Sequence, residues 1–173
     1  AIRMDREIAG DWYVSRMRFG TMVHAKLGIA QENSGKLVTM VKQQGRLQAL
    51  DTDCDLLLVD AGCEFDYYAS DVTRTMPING RFTPEQRAVY EIVLEAQLAA
   101  IDKTVKGNHW NDPHDAAVRV ITKGLKKIGL LDGTLPRLIK DQAYRQFFMH
   151  RTGHWLGMDV HDVGDYKVGD EWR

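Results

Sequence analysis

The side chains whose type and spacing best suit holding a metal or moving a proton fall in two stretches. The first, residues 56–75, reads LLLVDAGCEFDYYASDVTRT and carries Asp60 and Asp71. An apolar run from Leu56 to Val59 ends on Asp60, and Asp71 opens a second β-prone run that lasts to Met76. Two antiparallel strands reversing at Phe65-Asp66 would pair positions that sum to 131, which sets Asp60 opposite Asp71. Directly opposed residues have Cβ atoms only about 5 Å apart. Carboxylates that close repel unless one takes a proton or a cation sits between them. One or two divalent metal ions are the sharper reading. In the plainer one, Asp60 caps a loop after Ala61-Gly62, and Asp71 caps a turn with Thr73.

The second stretch, residues 147–166, reads FFMHRTGHWLGMDVHDVGDY and holds three of the six histidines, His150, His154 and His161. His150 and His154 are four apart, but no Glu follows His150, so this is not the His-Glu-x-x-His helix of zinc proteases. Gly153 and Gly157 flank His154 and imply a turn or a close backbone approach. A neutral imidazole joined to carboxylates suits divalent manganese, cobalt or zinc. Asp159 and Asp162 either orient His161 or His154 by accepting their ring N–H groups or simply cap turns.

Other elements must position these groups. Thr83-Pro84-Glu85-Gln86 reads as a helix start, with Thr83 as N-cap, Pro84 at the first helical position and Gln86 completing a capping box. Val89, Val93, Ala96 and Ala100 then recur at helical spacing, so the helix runs to about Val105, with Gly107 ending it. A second helix opens at Asp112-Pro113, buries Val118, Ile121, Leu125 and Ile128, and stops at Gly129. A short helical turn fits Leu135 to Lys140, and Gln146 to His150 reads as strand. Upstream, Asp5 to Leu27 suggests one or two short helices and Lys36 to Lys42 a strand. Gln31 to Gly35 and Gln43 to Arg46 read as turns.

Length and composition narrow the classes. The 173 residues fit one domain, 1–173, and 44% hydrophobic content supports a core. A net charge of −1 leaves no electrostatic footprint for nucleic acid or an anionic membrane. No apolar run approaches the ~18 residues of a membrane span, and residues 1–7 lack a signal-peptide core. Two cysteines, Cys54 and Cys63, fit a reducing compartment and read as inert buried thiols. The expectation is a cytoplasmic protein. The tryptophans read as packing residues, and Lys123 to Lys127 as a solvated helix face.

Asp60-Ala-Gly, Ser70-Asp71-Val-Thr-Arg-Thr75 and His150-x-x-x-His154-Trp-Leu-Gly-Met-Asp-Val-His161-Asp162 together resemble the Xaa-Pro aminopeptidases, or aminopeptidase P. These belong to the pita-bread metallopeptidases, with prolidase and methionine aminopeptidase. The resemblance covers about residues 55–173, whereas 1–50 match poorly. It implies an α+β fold, an antiparallel curved sheet with helices on its outer face, incomplete here at both ends. It also implies two divalent ions, manganese first and cobalt or zinc as alternatives. Asp60 would ligate one ion, Asp71 bridge both, and His154 ligate the second. His150 and His161 would line the substrate site and donate hydrogen bonds to the scissile carbonyl or its tetrahedral intermediate. The implied substrate is a peptide with proline at its second position. A homo-oligomer is compatible.

Two departures bear on activity. The family completes its metal site with two downstream glutamates, one of which also shuttles the proton; Glu171 does not match either motif. The Leu-His-Tyr motif expected before Asp55 is replaced by Leu37-Val-Thr-Met-Val-Lys42, with Val38 or Thr39 where histidine is expected. The 173 residues in isolation are therefore expected to be inactive or nearly so. The alternatives are a non-catalytic pita-bread module that binds peptides or proteins, and a prolidase-type dipeptidase.

Overall fold

The computed structural model describes residues 10–17, 20–27, 34–51 and 55–172. Cys54 and Arg173, and part of the segments read above as Asp5 to Leu27 and Gln31 to Gly35, lie outside these residues. Contacts divide the chain into two compact units: residues 1–81 with 156–162, and residues 82–155 with 163–173.

The first unit begins with a hairpin of β1 (Gly10–Met17) and β2 (Gly20–Leu27), where short helices were expected. Trp12, Tyr13, Val14 and Val23 are β-favouring side chains, and Val14 pairs with Val23 across the ladder. The expected strand at Lys36 to Lys42 and turn at Gln43 to Arg46 are instead one helix, α1 (Ser34–Leu50). Its Leu, Met, Lys, Gln and Arg content favours helix strongly enough to carry Gly45 in its interior. The helix packs against β2 and β3.

The proposed strand pair is present as β3 (Leu56–Ala61) and β6 (Val72–Pro77), antiparallel. Between them, β4 (Glu64–Phe65) and β5 (Tyr68–Ala69) continue the same hairpin. The register differs from the expected one. Asp60 pairs with Thr73, so partners sum to 133, not 131. The reversal is centred one residue later, on Asp66 and Tyr67, whose φ angles of 49° and 69° are the positive values a tight hairpin turn requires. A two-residue change of register preserves parity, so the strand faces are unchanged. The two aspartates become diagonal neighbours, about 7–8 Å apart at Cα in a regular ladder.

The second unit is built on two helices. In α2 (Pro84–Lys103) the capping box forms as read, with the Thr83 hydroxyl accepting from the Gln86 amide and the Gln86 side chain accepting from the Thr83 amide. The face it buries is Ile92, Ala96 and Ala100, whereas Val89 and Val93 are exposed. In α3 (Asp112–Lys127) Ala117, Val118, Ile121, Thr122 and Leu125 are buried. Fully buried Thr122 satisfies its hydroxyl by donating to the Val118 carbonyl at 2.6 Å. A Cβ at Gly124 would strike Ile92, so glycine there permits the close approach of α2 and α3. Gly129, at φ 81°, closes α3 with paired bonds from the Gly129 amide to Lys126 and the Leu130 amide to Leu125.

The helical turn at 135–140 is present as α4 (Leu135–Lys140), whose Leu138 joins the core with Leu131. The strand expected at Gln146 to His150 is absent: a 3-10 turn (Ala143–Gln146) with buried Tyr144 leads into irregular chain. Two short strands, β7 (Lys167–Val168) and β8 (Glu171–Trp172), form a small hairpin. No described helix is long and apolar enough to cross a membrane.

Candidate metal centre

In the first unit, the Thr73 hydroxyl donates to Asp60 Oδ1 at 2.9 Å across the β3–β6 ladder. Asp60 therefore presents a carboxylate held from one side by its cross-strand partner. Asp71 lies just before β6, at the end of the inner hairpin. That end is tied down by Ser70, whose amide donates to the Cys63 carbonyl and whose hydroxyl bridges the Cys63 amide and carbonyl. Cys63 itself is exposed, contrary to the buried thiol expected, because a two-residue strand has no layer over it.

The segment carrying His161 is fixed to the same hairpin. The Ala69 amide donates to the Gly157 carbonyl at 2.8 Å, two residues before Asp71. Asp162 folds back over Gly157, filling the space a side chain there would need, and accepts from the Asp159 amide. Of the two roles open to Asp162, this contact is turn-capping. The result is that Asp71 and His161 offer ligand atoms within 4.8 Å of one another. That separation leaves room for a small cation between them. His161 was read from the sequence as lining the substrate site, and it stands beside a candidate ligand.

His154 belongs to the second unit and is half-buried. Its Nδ1 lies 2.9 Å from the Trp155 carbonyl oxygen. A carbonyl can only accept, so Nδ1 carries the proton and, when the ring is neutral, its lone pair is on Nε2. This is the tautomer a metal-ligating histidine adopts when a backbone carbonyl orients it. The donor chemistry of Asp71 with His161 in the first unit, and of His154 by itself in the second, is of a kind that divalent ions take. His150 is exposed, in the irregular chain after the 3-10 turn.

Sequence reading missed the groups around these histidines. His114, in the first turn of α3, stacks obliquely on Phe148 at 5.8 Å and shares a 3.2 Å hydrogen bond with Thr152. Burial, and then the nearby Arg151 and Arg145 guanidiniums, pull its pKa below the ordinary histidine value; Asp115 offsets this only in part. Trp110, Trp155 and Tyr166 form an aromatic cluster with centroids 4.7–6.1 Å apart. The one available signal was Asn111-Asp112-Pro113-His114, a helix start that places polar side chains ahead of an apolar face.

The chain is similar to several known proteins. It is 55% identical over 114 residues to an Xaa-Pro aminopeptidase of Haemophilus influenzae, covering 66% of this chain and 26% of that protein. For the Escherichia coli Xaa-Pro aminopeptidase the identity is 48%, with the same coverage. Among solved structures, Pseudomonas aeruginosa aminopeptidase PepP superposes with a TM-score of 0.67 at 63% identity, over 69% of this chain and 28% of that one. A zinc-substituted E. coli aminopeptidase P in complex with product superposes at 0.64 with 46% identity, over 69% of this chain and 28% of that one. The chain spans about a quarter of the length of the curated relatives it matches. Its α+β architecture is part of the pita-bread fold those structures share. The profile of metallopeptidase family M24 matches residues 19–172, across both units, and the chain belongs to that family.

Proposed function

We propose that this chain carries part of the catalytic domain of an Xaa-Pro aminopeptidase, cleaving the bond between a peptide's first residue and a proline at the second position. The observation that carries this reading is the convergence of Asp71 and His161 within 4.8 Å of one another, in a chain with 63% identity to a solved aminopeptidase. The family match runs across both units, which supports treating 1–173 as one catalytic-type domain.

Asp60, Asp71 and His154 would hold the metal, as two divalent ions, manganese first and cobalt or zinc as alternatives. Bound there, the ions would polarise the scissile carbonyl and supply a water acidic enough to act as nucleophile near neutral pH. The protein's own part is to fix and to hydrogen-bond. Thr73 holds the Asp60 carboxylate from one side, and the Trp155 carbonyl holds the His154 ring in the ligating tautomer. His161, beside Asp71, would donate to the scissile carbonyl oxygen, and His150 would line the peptide. A cytoplasmic location is consistent with the composition and with two cysteines in 173 residues.

Taken alone, the 173 residues offer three protein ligands to two ions, too few for tight binding, and none in the position of the family's glutamate base. The isolated chain should show little or no turnover of an Xaa-Pro peptide with manganese. The assigned function is tested by a chimera in which this chain replaces the matching segment of the P. aeruginosa protein. Hydrolysis of Xaa-Pro peptides that Asp71→Ala abolishes is the expected result. A folded, inactive chimera would instead favour a peptide-binding module, and cleavage of dipeptides alone a prolidase.

A further inference from the structure

We propose that the N-terminal end of α3 is a positioning device for the histidine segment, with Asn111 and His114 as its working residues. The inference rests on the metal-site reading for its purpose, but its geometry lies wholly within the second unit. Three residues separate His150 from His154, and α3, its N-cap or the residue before that cap lies against each of them. The Arg151 guanidinium donates to the Asn111 side-chain carbonyl. The Thr152 hydroxyl shares its 3.2 Å bond with His114 Nδ1. At Gly153 a Cβ would sit 3.8 Å from the Trp110 ring, so the indole lies directly over that backbone.

The local rules of helix ends show that this arrangement is not incidental. Asn111 is the N-cap of α3, a position where asparagine ordinarily turns its side chain onto its own helix's amides. Here it makes no capping bond, and its carbonyl serves Arg151 instead. His114 sits at the third helical position, where a glutamate or glutamine would complete a capping box. Its ring is directed to Thr152. A cap residue that would ordinarily serve its own helix and a side chain of the first turn thus both turn to one short segment. Behind them α3 is anchored by buried Ala117, Val118, Ile121 and Leu125. The segment is therefore referenced to the best-packed element of the unit. A partner hydrogen-bonded directly to a ligating histidine is worth about tenfold or more in metal affinity; these supports act one step further out, on the backbone that carries His154, and removing one lowers affinity by less.

The test compares His114→Ala, His114→Asn and Thr152→Val in the purified chain by amide hydrogen exchange and by cobalt(II) titration read from its visible spectrum. His114→Ala and Thr152→Val should speed exchange of residues 150–155 by about two- to tenfold, the equivalent of one hydrogen bond. Residues 117–125 should keep their protection. His114→Asn places an amide where Nδ1 was and should restore the wild-type rates. Cobalt affinity should fall by less than the roughly tenfold of a direct ligand partner in the first two variants and recover in the third. Unchanged exchange at 150–155 in both His114→Ala and Thr152→Val would overturn the proposal, as would failure of His114→Asn to restore it. If the wild-type chain binds no cobalt while the exchange pattern appears as expected, the positioning role stands and the metal assignment fails. If His114→Ala loses protection throughout α3, Thr152→Val, which leaves the helix untouched, decides.

Discussion

The two units carry their site residues in contrasting ways. In the second, every residue of the buried apolar cluster, from Ala96 to Leu138, packs around α2, α3 and α4, and the His154 segment is fastened to α3 by side chains. In the first, Asp60 and Asp71 ride on a hairpin of two-stranded ladders whose Leu56, Leu58, Val72 and Met76 are exposed. There the site is organised by backbone and short polar bonds: Ser70 on Cys63, Thr73 on Asp60, Ala69 on Gly157. A two-stranded ribbon by itself is marginal in water. One unit thus carries its candidate histidine on a packed helical scaffold, whereas the candidate aspartates of the other depend on ladder register and local hydrogen bonds.

The comparison can be broken most sharply by truncating one apolar side chain in each unit. Leu125→Ala should cost about 2–5 kcal/mol in the second unit, because Leu125 is 6% exposed within a packed cluster. Leu58→Ala, at a residue 64% exposed, should cost under about 1 kcal/mol in the first. Native-state amide exchange reads the two regions separately, and equal losses would contradict the contrast. Thr83→Ala should remove about 1 kcal/mol from α2 by deleting the capping hydroxyl, seen as a lower denaturant midpoint at unchanged slope.

A smaller effect should follow pH. The folded pKa of His114 lies below its ordinary 6.5, so between the two values the unfolded chain binds more protons than the folded one. Stability from this group is complete above about pH 6.5 and is lost as pH falls through the folded value, then levels off. His114→Asn should flatten that slope in a thermal-melt series, and an unchanged slope would assign it elsewhere. Smallest of all, Thr73→Val should shift stability by no more than about 0.5 kcal/mol, since its bond to Asp60 is exposed.

Legibility in the sequence followed the same division. The helices of the second unit announced themselves through Thr83-Pro84 and Asp112-Pro113 at their starts and Gly129 at an end, signals a few residues long with one physical meaning each. Residues 10–50 offered weaker punctuation, since the turn read at Gln43 to Arg46 lies inside α1, and the short apolar runs there were compatible with helix or strand until packing chose. The aspartate pair was found, but its register was set by whether Asp66 and Tyr67 could take positive φ, which composition did not reveal. The histidines were evident from type and spacing. Their supports, Asn111, His114 and Thr152, were not, because they meet across some forty residues of chain.

The most direct test of the account is a calorimetric titration of the purified 173-residue chain with manganese(II) or cobalt(II), repeated with Asp71→Ala. The account predicts weak, measurable binding that Asp71→Ala abolishes. No binding to the wild-type chain, or binding that Asp71→Ala leaves intact, would contradict it.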